Sequence, residues 1–418
     1  MRHNIGHSIL AGLYGNALEW YDFLLYASFA SVFAEIFFPS KIHFVSLIAT
    51  FSLFAIGFIM RPIGGLLFGH YADHVGRRKA LILSMSIMTT STTLIALLPD
   101  FHSWGIMAPI LFSILRLIQG LAVGGELPGS TTYLIEHMFQ NRRGLAGSLV
   151  LSSAFLGIFL GALTASIVSA LFTGDSLLRW GWRCTYLLGG VLGLLGIYLR
   201  IKSFESPAFL KERHTKEIPA KIVLTTYRQQ LFLSVISTSI LALANYLLIA
   251  YVTTFLVKSE YFLLKDALLI NLIALALLTA LIPIMGFLSD LVGRKPIFLV
   301  GLFSLIILIF PFFWLLLSGN WWKVLWCELL LAAVLAPINA TVPTIIAEMF
   351  PTNIRASGIS ISYNIGQALF GGTMPLIAFI LIEFSNNKMA PAWYLFIWTI
   401  IVVLISSFIR ESYQKELM

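Results

Sequence analysis

Charge is scarce in this chain: Asp, Glu, Lys and Arg make up 11% of its 418 residues, against about a quarter in a soluble domain. With 59% of the residues hydrophobic, a water-soluble fold of this length could not hide its apolar surface, so lipid must be the solvent for most of it. Cysteine is nearly absent. Cys184 and Cys327 make neither a metal spacing nor a disulfide framework and read as small packing residues. Also missing are a Walker glycine loop, His-Glu-x-x-His and Gly-x-Ser-x-Gly, which leaves an ATPase, a metalloprotease or a serine hydrolase without a site. His70, His74 and His137 lack the spacing of a ligand set. No catalytic residue, metal or cofactor is therefore expected. The net charge of +8 would suit nucleic acid, but the basic residues sit in short clusters between apolar runs. That placement is a topology signal, and no nucleic-acid partner is expected.

What the chain does have is apolar runs of about 20 residues, the length that crosses a bilayer as a helix. Breaks at charged and Pro/Gly/Asn clusters divide it into spans near 10–36, 44–72, 80–98, 106–137, 144–172, 182–201, 230–257, 266–290, 296–317, 322–347, 356–384 and 391–410. The first is too long for a signal-peptide core and carries Glu19 and Asp22, so it is kept as a span. An even number of spans puts both termini on one side. The termini and even-numbered loops hold 18 Lys and Arg against seven in the odd-numbered loops, so both ends are expected to be cytoplasmic. The longest polar connection divides the chain into a six-helix bundle over 1–201, a cytoplasmic loop over 202–229 and a second six-helix bundle over 230–418.

The two halves share their punctuation. Gly69, Asp73, Gly76 and Arg77 after the second span recur as Gly286, Asp290, Gly293 and Arg294 after the eighth, each displaced by 217 residues. Glu136 and Arg143 recur as Glu348 and Arg355, displaced by 212. This is an internal duplication of parallel type. An Asp beside a helix N-terminus satisfies free N–H groups and complements the dipole, while glycines permit close helix approach.

G-x-x-x-D-x-x-G-R-[RK] in duplicate resembles the signature loop of the major facilitator superfamily, over essentially the whole chain. The resemblance implies an all-α membrane fold of twelve helices in two pseudo-symmetric bundles that alternate access to a central site. It further implies that Asp73, Arg77, Asp290, Arg294 and their partners latch the halves in one access state. A narrower resemblance rests on Gly15-Asn16 to Tyr26, Arg61-Pro62 with Gly64-Gly65, Arg116 to Glu126, Trp180-Gly-Trp182-Arg183 and Phe204-Glu205-Ser206-Pro207. Together these look like the bacterial metabolite:proton symporters, which include proline/betaine, dicarboxylate, citrate and shikimate carriers. That implies a bacterial inner-membrane carrier taking H+ as its coupling ion, with a small-molecule substrate and the lipid bilayer as partners and a monomeric state. The fifth span has glycines but lacks the Gly-Pro pair of the drug-antiporter branches, which favours symport over the runner-up, a proton-driven exporter. A channel or a membrane-embedded enzyme stand further back.

Ionisable side chains inside a span are costly and so point to function. At 100° per residue, Gly15, Glu19, Asp22 and Tyr26 share one face of span one, and Arg116, Gln119, Val123, Glu126, Ser130 and Tyr133 one face of span four. Both faces are expected to line a central cavity. Glu126 or the pair Glu19/Asp22 is expected to carry the proton, and Arg61 or Arg116 to hold a substrate carboxylate through paired hydrogen bonds. The second half offers Asn245, Tyr246, Tyr251, Asn271, Asn339, Asn364 and Gln367, with Glu328 its one charge well inside a span. Of these, Asn245, Tyr246 and Asn364 join the substrate-site candidates. Tyr246 and Tyr251 have the faces to stack on a quaternary ammonium group.

Overall fold

In lipid every backbone polar group must be satisfied within the chain, and helices do this segment by segment. The computed structural model describes residues 2–39, 43–211, 217–259 and 261–417; Lys41, Arg213 and Lys216, among the basic residues counted above, lie outside the described residues. The first half comprises α1 (Arg2–Ser28), α2 (Ala30–Phe37), α3 (His43–Val75), α4 (Arg77–Leu97), the short α5 (Phe101–Trp104), α6 (Met107–His137), α7 (Arg143–Leu171) and α8 (Trp182–Lys202). Two short helices, α9 (Pro207–Lys211) and α10 (Pro219–Thr225), follow in the connection. The second half comprises α11 (Arg228–Tyr246), α12 (Val252–Lys258), α13 (Leu264–Val292), α14 (Arg294–Leu316), α15 (Trp321–Glu348), α16 (Arg355–Gly366), α17 (Met374–Ser385) and α18 (Ala390–Ser406). Among the described residues, nine helical runs are long and apolar enough to cross a membrane, and Ala390–Ser406 is a shorter apolar helix.

Two expectations change in detail. The first span is broken: α1 ends at Ser28 and α2 starts at Ala30, with Phe29 at φ −101° and ψ 16° between them. The spans read as 230–257 and 356–384 each contain a π-helical turn, Leu247–Tyr251 and Gln367–Gly371. Both turns lie beside polar residues, a setting in which π-bulges are frequent.

Small residues decide which helices touch. In the first half, a side chain at Gly64 or Gly124 would run into the backbone of the facing helix at Leu121 or Arg61, so α3 and α6 pack backbone to backbone. Between the halves, α3 packs on α16 and α7 on α13. A Cβ on Gly144 would meet the Gly286 carbonyl at 2.7 Å and the Asp290 carboxylate at 2.9 Å.

At the end of the first half away from the duplicated loops, Phe33, Phe37, Phe112, Trp182 and Tyr186 form a buried aromatic cluster. Phe37 stacks on Phe112 at 4.3 Å, and Phe33 meets Trp182 edge-on at 5.3 Å. The neighbouring Arg183 donates to the carbonyls of Ala96 and Leu98 at 2.7 and 2.6 Å, satisfying carbonyls at the end of α4 that have no helical partner. The Trp-Gly-Trp-Arg motif is thus a structural corner.

Candidate substrate and proton site

The 100° spacing places Glu19, Asp22 and Tyr26 on α1 facing Arg116, Gln119 and Val123 on α6, and the structure brings all six to one cavity with Phe23, Leu53, Gly57, Arg61 and Gly120. Two ion pairs line it. Arg116 holds Asp22 at 3.2 Å, donates to Gln119 Oε1 at 2.7 Å and to the Tyr186 hydroxyl at 3.1 Å, and lies 3.8 Å over the Tyr26 ring. Asp22 also accepts from the Thr92 hydroxyl at 3.0 Å, and Gln119 donates to Thr92 at 2.8 Å. Beside this network Arg61 holds Glu19 at 3.1 Å and stands over Trp20 and Phe23 at 5.4 and 5.8 Å. From the second half, Tyr246 and Tyr363 come near Arg61. A cation in aromatic surroundings, with a carboxylate partner that can be exchanged, is a ready carboxylate receptor.

The lower part of the same helix faces does something else. Glu126 pairs with Arg200 of α8, which approaches Glu126 Oε2 at 3.0 Å and makes a second contact with Oε1. Arg200 also donates to the carbonyls of Leu81 and Ala11, and Ser84 donates to Glu126 at 2.7 Å. Both members are almost fully buried, and Gly15 leaves the space into which they fit. Arg200, counted above as a loop cation, is therefore an interior residue that ties α1, α4, α6 and α8 together. Glu126 lines no part of the cavity around Asp22. Tyr133 is likewise away from it, donating to the Phe204 carbonyl at 2.6 Å.

In the second half most amides join helices. Asn245 and Asn339 exchange two hydrogen bonds of 2.8 and 2.9 Å. Asn364 donates to the Gly124 carbonyl across the halves at 2.8 Å. Asn245 and Tyr246 also line a small crevice with Trp20, Tyr363 and Gln367. Tyr251 is instead packed against Phe255, Phe313 and Phe379.

At the other end of the molecule the duplicated loops close on each other. Asp73 accepts N–H groups of Ala356 and Ser357 at 3.2 and 2.9 Å, at the start of α16. Asp290 accepts those of Gly144 and Leu145 at 2.8 Å each, at the start of α7. Each Asp thus caps a helix of the opposite half, where the sequence alone suggested only a helix N-terminus nearby. Arg77 pairs with Asp73 at 3.3 Å and Glu136 at 3.1 Å, and Arg355 reaches the same Glu136 at 2.7 Å. In the second copy, Arg294 pairs with Asp290 at 2.9 Å and Glu348 at 3.5 Å, and Arg143 stands 3.8 Å from Glu348.

A third repeated element escaped the sequence reading. Glu205 accepts the backbone N–H of Arg78 at 3.1 Å, and Ser206 donates to Glu136. Glu411 accepts the N–H of Lys295 at 2.9 Å, and Ser412 donates to Glu348. Both carboxylates sit against glycines, Gly76 and Gly293, whose φ values are +122° and +115°. The paired Glu-Ser dipeptides were visible in sequence, but their offset of 206 differs from the 217 and 212 of the other repeated pairs, so the duplication did not mark them.

An all-helical fold with long apolar spans, a charged cavity and crossed carboxylate caps between duplicated loops fits a membrane transporter. The profile of the Major Facilitator Superfamily matches residues 21–375, and the chain belongs to that family. It is 32% identical over 425 residues to a glycine betaine/proline/ectoine/pipecolic acid transporter of Dickeya dadantii (strain 3937), covering 98% of this chain and 84% of the relative. It is also 32% identical to the proline/betaine transporter of Escherichia coli (strain K12) over 426 residues, with the same coverage. Among solved structures, a proton:xylose symporter bound to 6-bromo-6-deoxy-D-glucose superposes with a TM-score of 0.83 at 18% identity, covering 100% of this chain and 98% of that one. A human organic anion transporter gives 0.71 at 14%, covering 97% and 99%. The chain is a multi-pass membrane transporter and not an enzyme.

Proposed function

We propose that this protein is a proton-coupled symporter that imports a small zwitterion of the betaine/proline kind across the bacterial inner membrane. It works as a monomer of twelve spans in two six-helix bundles, with both termini cytoplasmic. The observation that carries the reading is the side-by-side arrangement of two ion pairs in one cavity, Glu19–Arg61 and Asp22–Arg116. They divide the labour. Arg61, ringed by Trp20, Phe23 and Tyr246, receives the substrate carboxylate, and the aromatic faces with Glu19 receive its ammonium end. Asp22, held by Arg116 and Thr92, carries the proton: protonation cancels its attraction to Arg116 and frees the guanidinium.

Both partners of each pair lie in the first half, so rigid rocking of the halves does not by itself pull them apart. A local shift of α1 against α3 and α6 must do so. The closed loops lie on the face richer in Lys and Arg, so by the positive-inside rule this conformation is shut toward the cytoplasm. The latch residues Gly69, Asp73, Gly76, Arg77, Glu136, Arg143, Asp290, Gly293, Arg294, Glu348 and Arg355 set the balance between access states and do not touch substrate.

The names of the relatives support betaine and proline as the first substrates to try. A thermal-shift screen of the purified protein against betaine, proline, di- and tricarboxylates and shikimate tests the choice. Stabilisation by betaine or proline, lost in Arg61→Ala, is expected. Stabilisation by the carboxylates alone would overturn it.

A further inference from the structure

Glu328 is a buried acid for which the transport cycle above has no task. It lies well inside α15, is 0% exposed, and belongs to the half that carries no ion pair at the cavity. The amide nitrogen of Asn271, on α13, donates to its Oε2 at 3.2 Å and to the backbone carbonyl of Leu248 at 2.6 Å. Its other oxygen is buried without a hydrogen-bond partner.

Among the described residues, no cation answers it. On its own helix, Lys323 stands at the exposed end, and the neighbouring Cys327 donates its thiol to the Val324 carbonyl. On α13, Lys265 and Asp266 lie in the first turn, away from Asn271. Arg143 of α7 and Arg294 of α14 belong to Glu348 at the opposite end of α15, Lys295 to carbonyls after α18, Arg228 of α11 to the Leu224 carbonyl, and Arg116 of α6 to Asp22. An ionised carboxylate left alone in such an interior is costly, whereas a neutral acid asks only for hydrogen bonds.

The position has a counterpart. Glu328 is displaced from Arg116 by 212 residues, the same offset that relates Glu348 to Glu136. Where the first half has the cation of its Asp22 pair, the second has an acid and an amide. Leu248 belongs to the π turn Leu247–Tyr251, which directly follows Asn245 and Tyr246. Such a turn disturbs the regular helical ladder, and here one of its carbonyls is taken by Asn271.

We propose that Glu328 is carried as a neutral carboxylic acid that, through Asn271, props the π turn at Leu247–Tyr251 and so sets the place of Tyr246, which directly precedes the turn, at the central site. It is a positioning residue and not a second proton carrier, and only the kinetic part of this claim rests on the transport reading.

The infrared spectrum of the reconstituted protein at neutral pH, minus that of Glu328→Gln, is expected to show the carbonyl band of a protonated carboxyl. In glycine betaine uptake, Glu328→Gln, which keeps hydrogen-bonding capacity, is expected to hold KM within about twofold and to keep the wild-type dependence on the proton gradient. Asn271→Leu and Glu328→Leu are expected to raise KM about tenfold through loss of the hydrogen bond. Absence of the protonated-carboxyl band would overturn the proposal. So would a Glu328→Gln protein that exchanges substrate yet no longer responds to the gradient. If the wild type takes up no glycine betaine, the transport reading fails, and the infrared band still decides the charge of Glu328.

Discussion

Gly76 and Gly293 sit with φ of +122° and +115° and ψ of 150° and 158°, a region that L side chains essentially avoid at a cost of about 1–3 kcal/mol. A methyl group there would also strike the capping carboxylate of Glu205 or Glu411. Gly76→Ala is accordingly expected to lower the thermal stability of the detergent-solubilised protein more than an alanine at the open helical position Gly6, whose Cβ meets nothing. Glu126 and Arg200 make a second prediction at this scale. Breaking a buried ion pair by removing one partner costs about 3–5 kcal/mol, whereas replacing both by apolar residues of similar volume is often neutral. Glu126→Gln should therefore destabilise strongly and the double change Glu126→Leu with Arg200→Met should recover stability, as read by thermal unfolding. Equal loss in both would mean the pair does more than hold four helices. This division of the carboxylates was half legible in the sequence. The spacing of Glu19, Asp22, Arg116 and Gln119 placed them on facing stripes, and they do meet. Glu126 shares the stripe, but its fate depends on Arg200, two residues from Lys202 at a helix end, and sequence spacing does not say how deep that end is buried.

A carboxylate accepting the first N–H groups of a helix stabilises it by about 1 kcal/mol, more where the site is buried. Asp73 and Asp290 spend that stabilisation across the boundary between halves, at α16 and α7. Asp73→Asn weakens the cap without changing its size, so it is expected to shift the protein toward the state open on the Lys/Arg-rich face. Labelling of a single cysteine introduced at Ser360, on the buried α3–α16 seam, should speed up severalfold, and unchanged labelling would count against the latch. Asp290→Asn should act the same way through α7. The duplication that marks these residues was plain in the sequence, because offsets of 217 and 212 are arithmetic. What the offsets could not reveal is that each motif serves the other half, since a repeat shows equivalence and pairing needs the fold. The π turns were hidden for a similar reason: Leu247–Tyr251 and Gln367–Gly371 read as ordinary apolar helix.

The twelve apolar runs predicted a two-half carrier, and in the structure α3 with α16 and α7 with α13 join the earlier and later parts of the chain. Charge is distributed unevenly between them. The cavity pairs Glu19–Arg61 and Asp22–Arg116 both belong to the first half, while Tyr246, Tyr363 and the amides of Asn245 and Gln367 line a separate small crevice with Trp20. The proposed function accordingly puts proton coupling in the first half and substrate shape in the second. On the proposed function, Asp22 couples the proton to solute movement. Purified protein in proteoliposomes, given an inward proton gradient, is expected to accumulate glycine betaine or proline above its external concentration. Asp22→Asn is expected to exchange the solute across the membrane without accumulating it. Gradient-driven accumulation by Asp22→Asn at the wild-type level would contradict the account.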